Sequence, residues 1–175
     1  EVASNPGGSK ALDTFFQLLV PGKSMGKQGK PPQALSVLPN KPGRQARAFR
    51  EIDQYVQLVG RGLIGVACDN GRFLWGYNDI SADIANIPTP IVRNNLIFSA
   101  NGYNAGSVLL KLTSDGDDGT SFTEIYRLQG NEFQNHHGGV VALGEYVFGG
   151  HGSNNGLPTC LNLSTGEILW KRRGP

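Results

Sequence analysis

The chain has 175 residues with a formal net charge of +2; 25 are Gly, 38% are hydrophobic and only 17% are charged. That length suits one domain with a sizeable core, and the Gly-rich, charge-poor balance points to a turn-rich all-β protein rather than a helical or disordered one. No apolar run nears the roughly 20 residues of a membrane-spanning helix, so a soluble chain without a membrane span is expected.

The charge is unevenly placed. Residues 1–50 carry eight Lys/Arg against Glu1 and Asp13, whereas residues 51–175 carry eight against twelve acids. Residues 1–45 read as an irregular, basic, Pro/Gly-rich segment, mostly coil, with one short helix or strand at ALDTFFQLLV (11–20). A basic segment of this kind could touch an anionic surface, but its composition fits a solvated tail. The later part lacks a basic patch interleaved with aromatics, which argues against a nucleic-acid partner.

Strand patterns begin at residue 54. YVQLVG (55–60), GLIGVAC (62–68) and RFLWGY (72–77) follow one another, the last two joined at Asp69-Asn70-Gly71. An Asn-Gly pair favours a two-residue hairpin turn, so antiparallel pairing is expected. TPIV (89–92) and LIFSA (96–100) form the next hairpin, then SVLLKL (107–112) and FTEIYRL (122–128) around the acidic turn TSDGDDGTS. VVAL (140–143), YVFGG (146–150), TCLNL (159–163) and EILWK (167–171) repeat the scheme. A calcium loop at Asp115 is disfavoured, because the twelfth position is Tyr126 and not Glu. Cys68 and Cys160 show no metal-ligand spacing and fall in units that are not neighbours; both read as small buried residues without a bridge.

The strands repeat as a set. VACDNGRFLW ends at Trp75, and CLNLSTGEILW ends at Trp170, 95 residues on. Half that distance, about 47 residues, is the length of one four-stranded propeller blade. A degenerate copy, SVLLKLTSDGDDGTSFTEIY, ends between them at Tyr126. The expected fold is therefore all-β: a partial β-propeller of about three four-stranded antiparallel blades (46–77, 89–128 and 138–171) from a larger, eight-bladed ring. Both ends of the sequence read as cuts in a longer protein, whose remaining blades would be partners. A large aromatic closing each fourth strand suits the job of covering the next blade.

The closing copy, with Thr165, Gly166 and Trp170, resembles the docking motif Ala-x-Asp-x-x-Thr-Gly-x-x-x-Trp of the PQQ-type (quinoprotein dehydrogenase-like) β-propellers. Cys160 stands at the Ala position and Asn162 at the Asp position. The first copy keeps Gly71 and Trp75, with Gly65, Ala67 and Asn70 in the other places; the middle copy keeps only its aromatic, Tyr126. The stretches GVACDNGRFLW, NHHGGVV and TGEILWKRRGP are similar to PQQ-like repeat proteins of the planctomycete type. The resemblance covers residues 50–175. It implies a periplasmic or secreted protein, and a pyrroloquinoline quinone held with calcium in catalytic members. No calcium-binding Glu/Asn pair, catalytic Asp or adjacent cysteine pair can be assigned here, so a non-catalytic binding or scaffolding module with a protein or glycan partner is expected. The alternatives are part of a PQQ-dependent alcohol or sugar dehydrogenase, and a propeller binding a metal or glycan.

Propeller topology adds one expectation. Loops joining blades and loops between the second and third strands of a blade lie on one face, which carries ligands in the resembled family. Asn135, His136 and His137 lie in the first kind of loop; His151, Asn154 and Asn155 lie in the second. The neighbouring blade adds Asn101, Tyr103 and Asn104 from its own loop. His136, His137 and His151 are candidate metal ligands, since neutral imidazole commonly serves that role. Asp79, Asp83 and Asn86 share the face but read as solvated loop residues.

Overall fold

The computed structural model describes residues 36–37, 52–115 and 119–173. They form three four-stranded antiparallel sheets, each a meander in sequence order. The first contains β1 (Ser36–Val37), β2 (Gln54–Val59), β3 (Gly62–Ala67) and β4 (Phe73–Tyr77). The second contains β5 (Ile91–Arg93), β6 (Leu96–Asn101), β7 (Gly106–Ser114) and β8 (Thr120–Leu128). The third contains β9 (Val140–Leu143), β10 (Tyr146–His151), β11 (Leu157–Asn162) and β12 (Ile168–Lys171). This is the blade pattern of a partial β-propeller. Among the described residues no helix is long and apolar enough to cross a membrane.

Alternation along each strand gives every blade two faces, and the faces pack in series. One core joins the first blade to the second: Val56, Leu58, Leu63, Trp75 and Tyr77 meet Ile97, Val108, Leu110 and Leu112. The other core joins the second to the third: Phe98, Ala100 and Leu109 meet Val147, Leu161 and Leu163, with Phe133 from the connecting loop. Phe98 and Leu109 are cross-strand partners, as are Ile97 and Leu110. The two pairs point to opposite faces, so the second blade serves both cores.

The aromatic copies occupy one structural position. Trp75 faces Gly65, Tyr126 faces Leu109 and Trp170 faces Cys160, and a register shift follows each of these three partners. A bulge adds a residue to one strand and increases local twist. It re-aims the aromatic at the same place in every blade. Trp75 and Tyr126 turn toward the following blade. Trp75 lies 5.8 Å from the Phe122 ring, and Tyr126 donates its hydroxyl to the Leu163 carbonyl at 2.8 Å. A Cβ on Gly166 would sit 2.8 Å from the Tyr126 ring, so that glycine makes room for the docked aromatic. Trp170 sits on the far face of the last blade. It is 41% exposed and packs against Phe148 of its own sheet.

Four details depart from the sequence expectations. The first blade takes its outer strand from Ser36–Val37, ahead of a blade beginning at residue 46. Pro31, Pro32 and Pro39 flank that short apolar run and hide it among breakers. The turn at Asn70-Gly71 is longer than two residues: Gly71 N–H donates to the Ala67 carbonyl, and Ala67 N–H to the Arg72 carbonyl. Only Gly71 takes a positive φ, +71°. The same bonds recur at Asn162, Gly166 and Glu167, with Gly166 at +74°. Third, the paired strands β7 and β8 each run to nine residues, beyond the expected hairpin. Fourth, both cysteines are free, but Cys68 is only half-buried. Burial, with Asp53 beside it, pushes its thiol up to about 11. The expected coil, including 11–20, and Asp117 and Asp118 of the acidic turn lie outside the described residues.

Candidate functional site

The loops of the second and third blades meet where the topology places them. Asn135 forms an isolated parallel bridge with Gly152, joining the loop between blades to the loop after β10. Gly152 N–H donates to the Gln134 carbonyl at 3.0 Å, and Asn135 Nδ2 to the Gly150 carbonyl at 2.9 Å. The third segment is the turn after β6. Tyr103 and Asn104 take positive φ angles of 52° and 67° there, a conformation Asn tolerates and Tyr rarely adopts. Two bonds hold it to the third blade: Tyr103 N–H to Ser153 Oγ at 3.1 Å, and Asn104 N–H to Gln134 Oε1 at 2.8 Å. Ser153 Oγ also donates to Gln134 Oε1 at 3.1 Å.

Three rings pack together at this junction. His136 is buried, with Tyr103 edge-on at 4.5 Å between ring centroids on one contact and His137 at 3.6 Å on another. Tyr103 and His137 are exposed, as are Asn104, Asn154 and Asn155 at the rim. A side chain on Gly102 would press on the His136 ring, so glycine there lets the turn close over it. His136 Nδ1 lies 3.0 Å from the Ser153 carbonyl. A carbonyl only accepts, so Nδ1 carries the hydrogen and, in the neutral ring, Nε2 carries a lone pair. That Nε2 and the Oδ1 of Asn135 are both buried without a hydrogen-bond partner.

His151 belongs to a different environment. Its Nδ1 accepts the Gln134 N–H at 3.3 Å, and its ring stacks 6.2 Å from Phe133. Burial and the Lys171 ammonium hold its pKa below the usual histidine value. The three histidines therefore divide into a pair with rings in contact and a separate wall residue. Among the described residues no three His, Cys, Asp or Glu side chains gather so as to hold a metal ion.

The other candidates brace the fold. Asn101 Nδ2 donates to the Ile80 carbonyl at 2.8 Å and to Asn86 Oδ1 at 2.6 Å, tying the second blade to the loop after β4. Asn86 closes that loop through the Ala82 N–H and carbonyl. Asp79 pairs with Arg127 at 3.1 Å, and the Tyr77 hydroxyl donates to Glu124. In the closing turn, Asn162 Oδ1 accepts the Ser164 and Thr165 N–H groups, and Thr165 Oγ1 accepts the Glu167 N–H. Sequence reasoning passed over Gln134 and Ser153, which knit the three loops together. Neither stands in a motif; only their neighbours in the loops signalled them.

No protein-family model matches the chain, and no curated protein matches it. Among solved structures, the crystal structure of BamB from Moraxella catarrhalis matches with a TM-score of 0.46 and 17% identity, over 69% of this chain and 33% of that one. The chain thus spans about a third of the length of that structure.

Proposed function

We propose that the chain is a non-catalytic, extracytoplasmic binding or scaffolding module built from three blades of a PQQ-like propeller, of the repeat type found in planctomycetes. Its binding face is the junction of the turn after β6, the loop 134–139 and the loop 150–156. One observation carries the reading: three separate loops are bonded into a single rim that leaves aromatic and amide side chains in solvent around two buried acceptors without partners. Structural loops seldom leave such groups unmatched. Location outside the cytoplasm rests on the family resemblance alone.

Photo-crosslinking on the full chain tests this. A benzoylphenylalanine replacing Tyr103 should give discrete conjugates with a partner in native extracts. The same group replacing Glu167, in the turn at the opposite end of the blade, should give none of them. Equal conjugates from both sites would contradict a binding face at Tyr103.

A further inference from the structure

The chemistry of the loop junction narrows its ligand, on the premise that this junction is the binding face. Asn135 is 1% exposed and His136 is 6% exposed. Asn135 spends its Nδ2 on the Gly150 carbonyl, and His136 spends its Nδ1 hydrogen on the Ser153 carbonyl. The buried atom without a partner in each is an acceptor, Oδ1 in Asn135 and, in the neutral ring, Nε2 in His136. Two neighbouring residues therefore both ask for a hydrogen donor. The loops 101–106, 134–139 and 150–156 contain no Asp or Glu, so no carboxylate within them would hold a cation. Tyr103 adds an exposed aromatic ring edge-on to the His136 ring. Hydrogen acceptors in a junction that also presents an aromatic ring suit a ligand with hydroxyl groups on one edge and C–H groups on a face.

We propose that Asn135 and His136 form the floor of a carbohydrate site, accepting hydroxyls of a neutral sugar while Tyr103 packs on its C–H face. The exposed His137 ring lies 3.6 Å from that of His136 and would turn aside to admit the sugar.

NMR of the histidine rings and side-chain amides tests the idea on the intact chain. The probes are glucose, galactose, mannose and N-acetylglucosamine, each also in a form methylated on every hydroxyl. Zinc chloride and ammonium chloride represent the cations. A free sugar should shift the His136 and Asn135 signals saturably, and its methylated form should not. Tyr103→Ala should weaken the response roughly tenfold. His137→Ala should preserve or strengthen it, because it removes the ring packed on His136. No response to any of the four sugars would overturn the proposal, as would a response to zinc or ammonium alone. Partner conjugates at Tyr103 without any sugar response would sink the carbohydrate site while leaving the binding face in place.

Discussion

Trp75 and Trp170 hold the same place in the repeat, yet one is 3% exposed and the other 41%. The copy with the poorer motif is the better buried. Trp170 follows Thr165 and Gly166, whereas Trp75 keeps only Gly71 of that set. Two physical differences decide the matter. Trp75 has a following blade to cover, and Trp170 has none among the described residues. The facing residue differs as well: the indole of Trp75 lies where a Cβ on Gly65 would be, 2.2 Å from Nε1, and Cys160 fills that place in the third blade. Freed of a side chain opposite, Trp75 reaches back to donate its Nε1 hydrogen to Gln54 Oε1 at 2.6 Å. Burial of a repeated aromatic thus follows from its position in the stack and the size of its cross-strand partner, not from the completeness of its motif.

The sharpest way to break this contrast is by truncation. Trp75→Ala should cost about 3–5 kcal/mol, because it empties a packed junction and leaves Gln54 unmatched. Trp170→Ala should cost about 1 kcal/mol or less, near the range of surface changes. Chemical denaturation of both variants gives the comparison directly. Equal losses would mean the two faces are equally covered.

A smaller effect is expected at the other junction. Gly166→Ala places a methyl group against the Tyr126 ring at a φ of +74°. Strain and crowding together should destabilise the chain by about 2 kcal/mol. Gly144→Ala, also at a positive φ but with open space around it, reports the backbone cost alone. If the two variants lose the same stability, the contact with Tyr126 adds nothing to docking.

The smallest expected effect is one of pH. His151 has a folded pKa below its usual value of 6.5. The unfolded chain then binds more protons in that range, so stability from the neutral ring is complete above about 6.5 and declines as pH falls through that value. His151→Gln should flatten the acid limb of a stability–pH curve. An unchanged limb would show that His151 titrates alike in both states.

Much of the fold was legible. Period-two runs and regularly spaced turns fixed the strands from residue 54 onward, and the recurring aromatic set the blade length. What stayed hidden depended on contacts between distant segments. Ser36–Val37 is too short to show a period, and its pairing is defined only by β2. The turn at Gly71 looked like a two-residue hairpin because Asn-Gly is common there; the bulge opposite Gly65 changes the register and lengthens it. At the site, topology brought Tyr103, Asn135 and His136 to one face. It could not separate His151 from the other two, since that division rests on Phe133 and Lys171 reaching the ring from elsewhere. Nor could it reveal the lone pairs on Asn135 and His136, which depend on carbonyls 15 and 17 residues away.

The contrast between the buried Trp75 and the exposed Trp170 is best tested by acrylamide quenching of tryptophan fluorescence in two variants, Trp170→Phe and Trp75→Phe. With Trp75 as the remaining fluorophore, emission should be blue-shifted and hardly quenched. With Trp170 remaining, emission should be red-shifted and strongly quenched. Similar quenching of both would contradict the burial of Trp75 and the exposure of Trp170.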